Sequence, residues 1–173
     1  MSVSFYDASV ASFLQILEGM ANVLDKGANH AAETGLDLNE VLTTRFHDTM
    51  HPFDFQVVAA AHLSWGAMQA LSNGSFSPPS SKVDKDYAAL QALVADARDG
   101  LAALDVGQVD ALAGGSMLFK VGDAELAFTN QNFLLSFAHP NFYFHATTTY
   151  SILRMLGVPL GKQDFLGPLK IGA

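Results

Sequence analysis

The stretch that decides the fold is Thr129–Leu156, which reads TNQNFLLSFAHPNFYFHATTTYSILRML. Apolar side chains recur along it at steps of three and four residues, the spacing of one face of an α-helix. Thr129 offers a hydroxyl group that can cap the first turn, and Gly157 with Pro159 beyond it ends the pattern. The stretch therefore predicts one long final helix.

Three further stretches carry the same helical spacing, at residues 6 to about 35, 37 to 74 and 84 to 104. Asp37 is the expected N-cap of the second stretch, and Asp84 the expected start of the third. Pro52 divides the second stretch, because proline lacks a backbone N–H and disfavours helix at the residue before it. We expect a short helix, a break near Met50 and His51, and a longer helix from Pro52.

A change of period separates the third and fourth helical stretches. From Ser116 to Phe128 apolar residues alternate around a Gly122-Asp123 turn, which predicts a β-hairpin. The segment from Ser75 to Ser81 contains Pro78-Pro79 and is predicted to be a loop. Four long amphipathic helices joined by short connections favour a four-helix bundle with the hairpin covering one end. The sequence thus predicts a single all-α domain over residues 1–173.

The composition limits the kinds of molecule that this protein is expected to bind. The net charge is -8 and the nine Lys and Arg are scattered, so neither nucleic acid nor an anionic membrane is an expected partner. The chain contains no cysteine, which excludes thiolate metal sites and disulfides. Half of the residues are hydrophobic and 15% are charged, which favours a homodimer that buries part of this apolar content. Residues 1–20 lack a basic leader, and a cytoplasmic location is expected.

An unusual ladder on the last helix suggests a functional site. Three consecutive members of its core-facing row are polar: Asn141, His145 and Thr148. A buried polar group costs about 1 to 3 kcal/mol unless it finds a hydrogen-bond partner, so their clustering predicts a polar pocket that binds a small ligand. Pro140 is expected to open the helix locally by freeing the carbonyl of Ser136. The alternative is an internal hydrogen-bond network that only fixes helix register.

The second helical stretch supplies the expected partners of this ladder. Gln56 is the polar member of an otherwise apolar row and is predicted to face Asn141 and His145. With a carboxylate such as Asp48 nearby, the imidazole of His145 is a candidate catalytic acid, base or metal ligand. An inert core histidine is the alternative reading.

The other histidines and the sequence motifs give weaker indications of a functional site. His47 and His51 have the spacing of helical zinc ligands, but Pro52 is expected to break the helix there. A surface or subunit-interface role is expected for His62 and His30, and His139 is set aside because it precedes Pro140. The chain has no G-x-S-x-G elbow, phosphate-binding glycine loop or dinucleotide fingerprint.

Two blocks of sequence resemble a known family. The C-terminal block runs from Asn141-Phe-Tyr-Phe-His145 through Ile152-Leu-Arg154 to Asp164-Phe-Leu-Gly167, and the other holds Arg45, Asp48-Thr-Met50 and Gln56-Val57. Over nearly the whole chain the sequence is similar to a bacterial family of domains of unknown function, number nineteen ninety-three. That family belongs with the DinB and YfiT-like metalloenzymes. The resemblance implies a four-helix bundle and, in many members, a dimer.

The resemblance also implies a metal site that this sequence does not reproduce. Metal-binding members hold a divalent ion with one His on the second helix and an H-x-x-x-H pair on the last, and some transfer groups to low-molecular-weight thiols. Here His145 matches the second His of that pair and Asn141 replaces the first. No cofactor is therefore expected. The alternative is a metal-dependent enzyme, such as a thiol-linked transferase, in which His145 and His62 hold a divalent transition metal. A non-catalytic dimerisation module is the third interpretation.

Overall fold

The structure, a computed structural model, describes residues 3–172. Its helices are α1 (Ser12–Thr34), α2 (Leu38–Thr43), α3 (Phe53–Ala61), α4 (Ala67–Asn73), α5 (Tyr87–Ala102), α6 (Val106–Ala111), α7 (Asn130–Asn132), α8 (His139–Met155) and α9 (Lys162–Leu166). Its strands are β1 (Ser75–Phe76), β2 (Ser116–Val121) and β3 (Ala124–Thr129). Wider π-helical turns at Asp7–Ala11, His62–Gly66 and Phe133–Ala138 lead into α1, join α3 to α4 and join α7 to α8.

The core lies among the long helices. Helix α1 packs against α5 and α8, and α3 packs against the same two helices. Phe13, Phe53 and Phe142 point into the space between them and are fully buried. The domain is therefore mostly helical, with a small sheet added at one end. No helix within residues 3–172 is both long enough and apolar enough to cross a membrane.

Helix limits follow local chemistry and confirm most of the predicted ones. Helix α1 ends where Gly35 adopts a left-handed conformation with φ of 79°. The Asp37 side chain caps α2, and α3 begins directly after Pro52. The third helix begins at Tyr87 rather than at Asp84, because Asp86 is the residue whose carboxylate accepts a bond from the Ala89 N–H at 2.8 Å.

The predicted hairpin is present, with Ser116 opposite Thr129 and Val121 opposite Ala124. The expectation of a loop from Ser75 to Ser81 is wrong at its start. Ser75 and Phe76 form β1, which pairs in parallel with β2 and makes the sheet of residues 3–172 three-stranded. A strand of two residues leaves no periodic pattern in a sequence, and tertiary contacts hold it. Its Phe76 ring packs on the rings of Phe119 and Phe133.

A short C-terminal helix, which the sequence patterns did not predict, docks on α1 at backbone distance. A Cβ atom on Gly19 would lie 2.1 Å from the carbonyl oxygen of Phe165, so only glycine allows this approach. The Gln15 amide donates to the carbonyl of Leu166 at 3.0 Å. The Lys26 ammonium lies 2.6 Å from an Asp164 carboxylate oxygen. Helix α9 is therefore fastened along one side of α1.

Replacing Gly19 by Ala should loosen this docking. The added methyl group meets a backbone oxygen that cannot move without displacing α9, so we expect a loss of about 1 to 3 kcal/mol in the free energy of unfolding despite alanine's better helix propensity. Hydrogen exchange should accelerate in residues 158–166 and stay unchanged in α5. Gly114→Ala is the control, because nothing lies within 4 Å of a Cβ at that position. Equal exchange in both variants would contradict the docking account.

Candidate functional site

One hydrogen-bonded pair joins α3 to α8 at the predicted position. The Nδ1 atom of His145 lies 2.7 Å from Oε1 of Gln56, whose side chain is almost fully buried. The Gln56 amide nitrogen in turn donates to the carbonyl oxygen of His51 at 2.8 Å. The structure thus brings Gln56 and His145 together and adds the backbone of His51.

These contacts fix the protonation of the imidazole. A backbone carbonyl can only accept, so the nitrogen of the Gln56 amide must face His51 and its oxygen must face His145. That oxygen needs a donor, which places the proton of the neutral ring on Nδ1. The Nε2 atom of His145 is left with a lone pair and has no hydrogen-bond partner within the described residues.

The break before α3 makes the arrangement possible. Residues 44–52 lie outside any helix, and the Phe53 N–H closes this loop with a bond to the Thr44 carbonyl at 2.9 Å. The His51 carbonyl therefore has no helical donor and is free to accept from Gln56, one turn into α3. Pro52 produces the break, because it cannot be placed inside a regular helix.

Aromatic rings surround the imidazole and lower its basicity. Phe144 and Phe55 present their rings nearly perpendicular to it, with centroids 5.2 and 5.9 Å away, and His51 stacks on Phe55 at 3.9 Å. Burial, and secondarily the charge of His51, lowers the pKa of His145 from 6.5 to about 4. The ring is neutral at pH 7. The His145 side chain is partly exposed, and its Nε2 is not completely buried.

The other members of the predicted ladder bond to their own helix. Asn141 donates to the carbonyl of Phe137 and Thr148 to that of Phe144, both at 2.7 Å. Neither makes a hydrogen bond with Gln56 or His145. The π-helical turn Phe133–Ala138 ends two residues before Pro140 and contains Ser136, whose carbonyl the sequence predicted to be freed.

Two further residues of the predicted site lie elsewhere. Asp48 is exposed in the loop 44–52 and makes no hydrogen bond or ion pair with His145. The Nε2 atom of His62 lies 2.7 Å from the carbonyl oxygen of Ser77, and its ring packs on Phe76, so His62 anchors β1 instead of joining His145. The residue that sequence reasoning missed is His51. Its contacts depend on the loop before Pro52, and the helical spacing to His47 gave no sign of them.

The side chains at the site do not fit the three-His centre that the resemblance implies. Within residues 3–172 no group of three or more His, Asp or Glu side chains is placed to hold a metal ion. The oxygen of Gln56 is already occupied by His145, and the Asn141 amide is bonded to its own helix. Two imidazoles remain, His145 and the exposed His51, and two such donors bind a divalent ion weakly.

His145 lies beside a surface cavity without forming part of its wall. Five surface cavities of 220 to 740 Å³ lie on the described part of the chain, and none is lined by His145, Gln56 or Asn141. A cavity of about 430 Å³ lies alongside, with Thr148, Phe144 and Phe46 in its wall. The sequence predicted a polar pocket enclosed by the helices; the contacts show an imidazole in the helix interface with one nitrogen open to the surface.

A second, partly buried histidine, His139, links two elements of the fold. His139 lies with Nε2 2.6 Å from the carbonyl oxygen of Ala8, and its ring stacks on Phe13. Burial lowers its pKa, and its Nδ1 is buried without a partner. The ring ties the start of α8 to the π-helical turn before α1.

Comparison with known proteins agrees with this fold. The family model described as "Domain of unknown function (DUF1993)" matches residues 5–166. A crystal structure of a DinB family member protein from Shewanella denitrificans is similar, with 25% sequence identity and a TM-score of 0.79. The match covers 97% of this chain and 94% of that one. No curated protein matches the chain.

Replacing Gln56 by Leu should destabilise the interface between α3 and α8. The substitution leaves both the Nδ1–H of His145 and the carbonyl of His51 without a partner, and each unpaired group costs about 1 to 3 kcal/mol. We expect the free energy of unfolding from urea titration to fall by about 2 kcal/mol or more. Thr148→Val is the control, because that hydroxyl bonds only to its own helix. A larger loss in the control would refute the assigned importance of Gln56.

Acid should weaken the fold through His145. The unfolded chain takes up a proton at this ring as the pH falls through 6.5, whereas the folded ring stays neutral until about 4. The free energy of unfolding should therefore decrease between these values. His145→Phe lacks this contribution, so wild type should lose more stability than the variant between pH 7 and 4.5. Parallel losses in the two proteins, measured by urea unfolding, would show that the His145 pKa is not depressed.

Proposed function

Since this chain belongs to the DUF1993 family, we propose that it is a DinB-like four-helix bundle that binds a small ligand at the open nitrogen of His145, without a tightly held metal. The observation that carries the proposal is the chain of bonds from His51 through Gln56 to Nδ1 of His145. It holds the imidazole in one tautomer and one orientation. The Nε2 lone pair is then a preset hydrogen-bond acceptor.

The surroundings of Nε2 indicate the class of ligand. The rings of Phe55 and Phe144 lie around the imidazole and offer apolar contact. A ligand with an aromatic or aliphatic body and one weakly acidic O–H, N–H or S–H group would place its body on these rings and donate its proton to Nε2. The Asn141 amide and the Thr148 hydroxyl already donate to carbonyls of their own helix, and Asp48 lies apart in the loop 44–52, so we assign the ligand only to His145 and the two rings.

For the His145 imidazole, ligand binding is better supported than acid–base catalysis. The His145 pKa is about 4, which makes the ring a weak base. A thiol has a pKa near 8.5, so full proton transfer to such a ring is unfavourable by several kcal/mol. A hydrogen bond without transfer has no such cost. The metal-dependent, thiol-linked transferase is the second candidate; His145 and His51, rather than His145 and His62, would then supply its protein ligands.

Phenol tests the proposed donor chemistry, with benzene as the apolar control that lacks the hydroxyl group. Phenol at about 10 mM should raise the melting temperature by about 3 °C if its dissociation constant is near 1 mM. Benzene should give a smaller rise. The phenol effect should disappear in His145→Phe and persist in His47→Ala, which removes an exposed histidine.

Two results would contradict the proposal. Equal shifts in wild type and His145→Phe would mean that the imidazole contacts no ligand, and the Gln56–His145 pair would then only fix helix register. A stoichiometric transition metal in protein purified without chelator, lost in His145→Ala, would favour the metal-dependent enzyme instead. Elemental analysis of both proteins decides this point.

A further inference from the structure

A cavity of about 220 Å³ lies between α3 and α5, apart from the site at His145. The end of α3 and the π-helical turn His62–Gly66 form most of one wall, α5 forms the other, and Pro79 and Lys85 of the loop before α5 complete the lining. This volume holds roughly seven water molecules at about 30 Å³ each, and it is smaller than the roughly 300 Å³ at which pockets for drug-sized molecules begin. The cavity therefore fits a compact ligand.

The apolar part of this cavity is built around Trp65, the only tryptophan of the chain. A Cβ atom on Gly100 would lie 2.7 Å from Cε2 of the Trp65 ring, so α5 receives the indole only because residue 100 has no side chain. The indole is therefore held against the backbone of α5. Val58 and Leu93 also line the cavity, and together with the indole they offer an apolar surface to the body of a ligand.

His62 adds a hydrogen-bond acceptor to the wall. Its Nε2 atom lies 2.7 Å from the carbonyl oxygen of Ser77, and because a carbonyl can only accept, Nε2 carries the proton. The Nδ1 atom of the neutral ring then keeps a lone pair. This atom has no hydrogen-bond partner within residues 3–172, is not completely buried, and lies 2.9 Å from where a Cβ on Gly66 would stand. A ligand that enters beside Gly66 can donate an N–H to it.

Two opposite charges stand at the same cavity. Asp96 of α5 and Lys85 of the loop before it both line the cavity and are exposed. Neither side chain forms an ion pair within the part of the chain that the structure describes. A ligand with a single charge would be attracted by one of these groups and repelled by the other, whereas a zwitterion can pair with both.

We propose that this cavity binds a small zwitterionic amino acid with an apolar side chain. The ammonium group of the ligand donates to the Asp96 carboxylate and to the Nδ1 lone pair of His62. Its carboxylate accepts from the Lys85 ammonium, and its side chain packs on the indole of Trp65. Each charged or polar group of the ligand thus meets a complementary group of the cavity. The site is separate from the one proposed at His145 and does not depend on it.

The fluorescence of Trp65 tests this site directly, because the chain has no other tryptophan. L-Phenylalanine is the probe, excited at the red edge of the tryptophan absorption band, where the probe does not absorb. Its addition should change the Trp65 emission with saturation and a dissociation constant of about 1 mM. 3-Phenylpropionate, which lacks the ammonium group, should bind about 10-fold more weakly, and phenethylamine, which lacks the carboxylate, about 3-fold more weakly.

Two charge variants assign the two ends of the ligand. Asp96→Asn should weaken the binding of L-phenylalanine about 5-fold without weakening that of 3-phenylpropionate, because the latter has no ammonium group. Lys85→Gln should weaken L-phenylalanine about 3-fold without weakening phenethylamine. Misfolding would weaken all probes together and cannot produce this crossed pattern. Asp99→Asn on the same helix and Lys82→Gln in the same loop are the controls, because neither residue lines the cavity.

Three results would overturn the amino-acid site. The first is the absence of a saturable change in Trp65 emission with L-phenylalanine up to about 20 mM. The second is equal affinity for the three probes, which would mean that the charges take no part, and the third is tighter binding of either singly charged analogue. His145→Phe should leave the fluorescence titration unchanged although it removes the phenol effect, so this site and the His145 site can fail separately.

Discussion

The structure depends on one buried amide. Gln56 is 2% exposed, so each of its polar atoms must find a partner inside the protein. Its nitrogen donates to the His51 carbonyl, which the break at Pro52 leaves free, and its oxygen accepts from the imidazole of His145 in α8. These two bonds set the register of α3 against α8 and the tautomer of His145 together. The same constraint therefore shapes both the packing of two core helices and the chemistry of the His145 imidazole.

Glycine and aromatic residues complete the packing at the two ends of the domain. The missing side chain of Gly19 lets the backbone of α9 touch α1, so the C-terminal segment is held along a long helix. Around the sheet, the rings of Phe76, Phe119 and Phe137 pack against one another, and the Phe133 ring stacks on Phe137. These contacts let a strand of two residues persist although it is too short to be stable alone.

The last helix presents different chemistry on each side. Its inner side supplies Phe142 to the core and His145 to Gln56, whereas Phe144 and Met155 on its outer side are more than half exposed. Phe144 borders both regions, since its ring packs edge-on against the imidazole of His145.

The sequence alone predicted the helical stretches, the hairpin and the break at Pro52, because periodicity, capping side chains and proline act over a few neighbouring residues. It also indicated that Gln56 and His145 face one another, since polar residues in apolar rows must find partners. It did not indicate the role of His51, and it grouped Asn141, Thr148 and Asp48 with that pair although the structure separates them. It also gave no sign of β1 or α9. Tertiary structure decided these features, because each depends on a contact between distant segments: a carbonyl freed by a loop, an aromatic ring packed under a sheet, or a glycine that admits a second backbone.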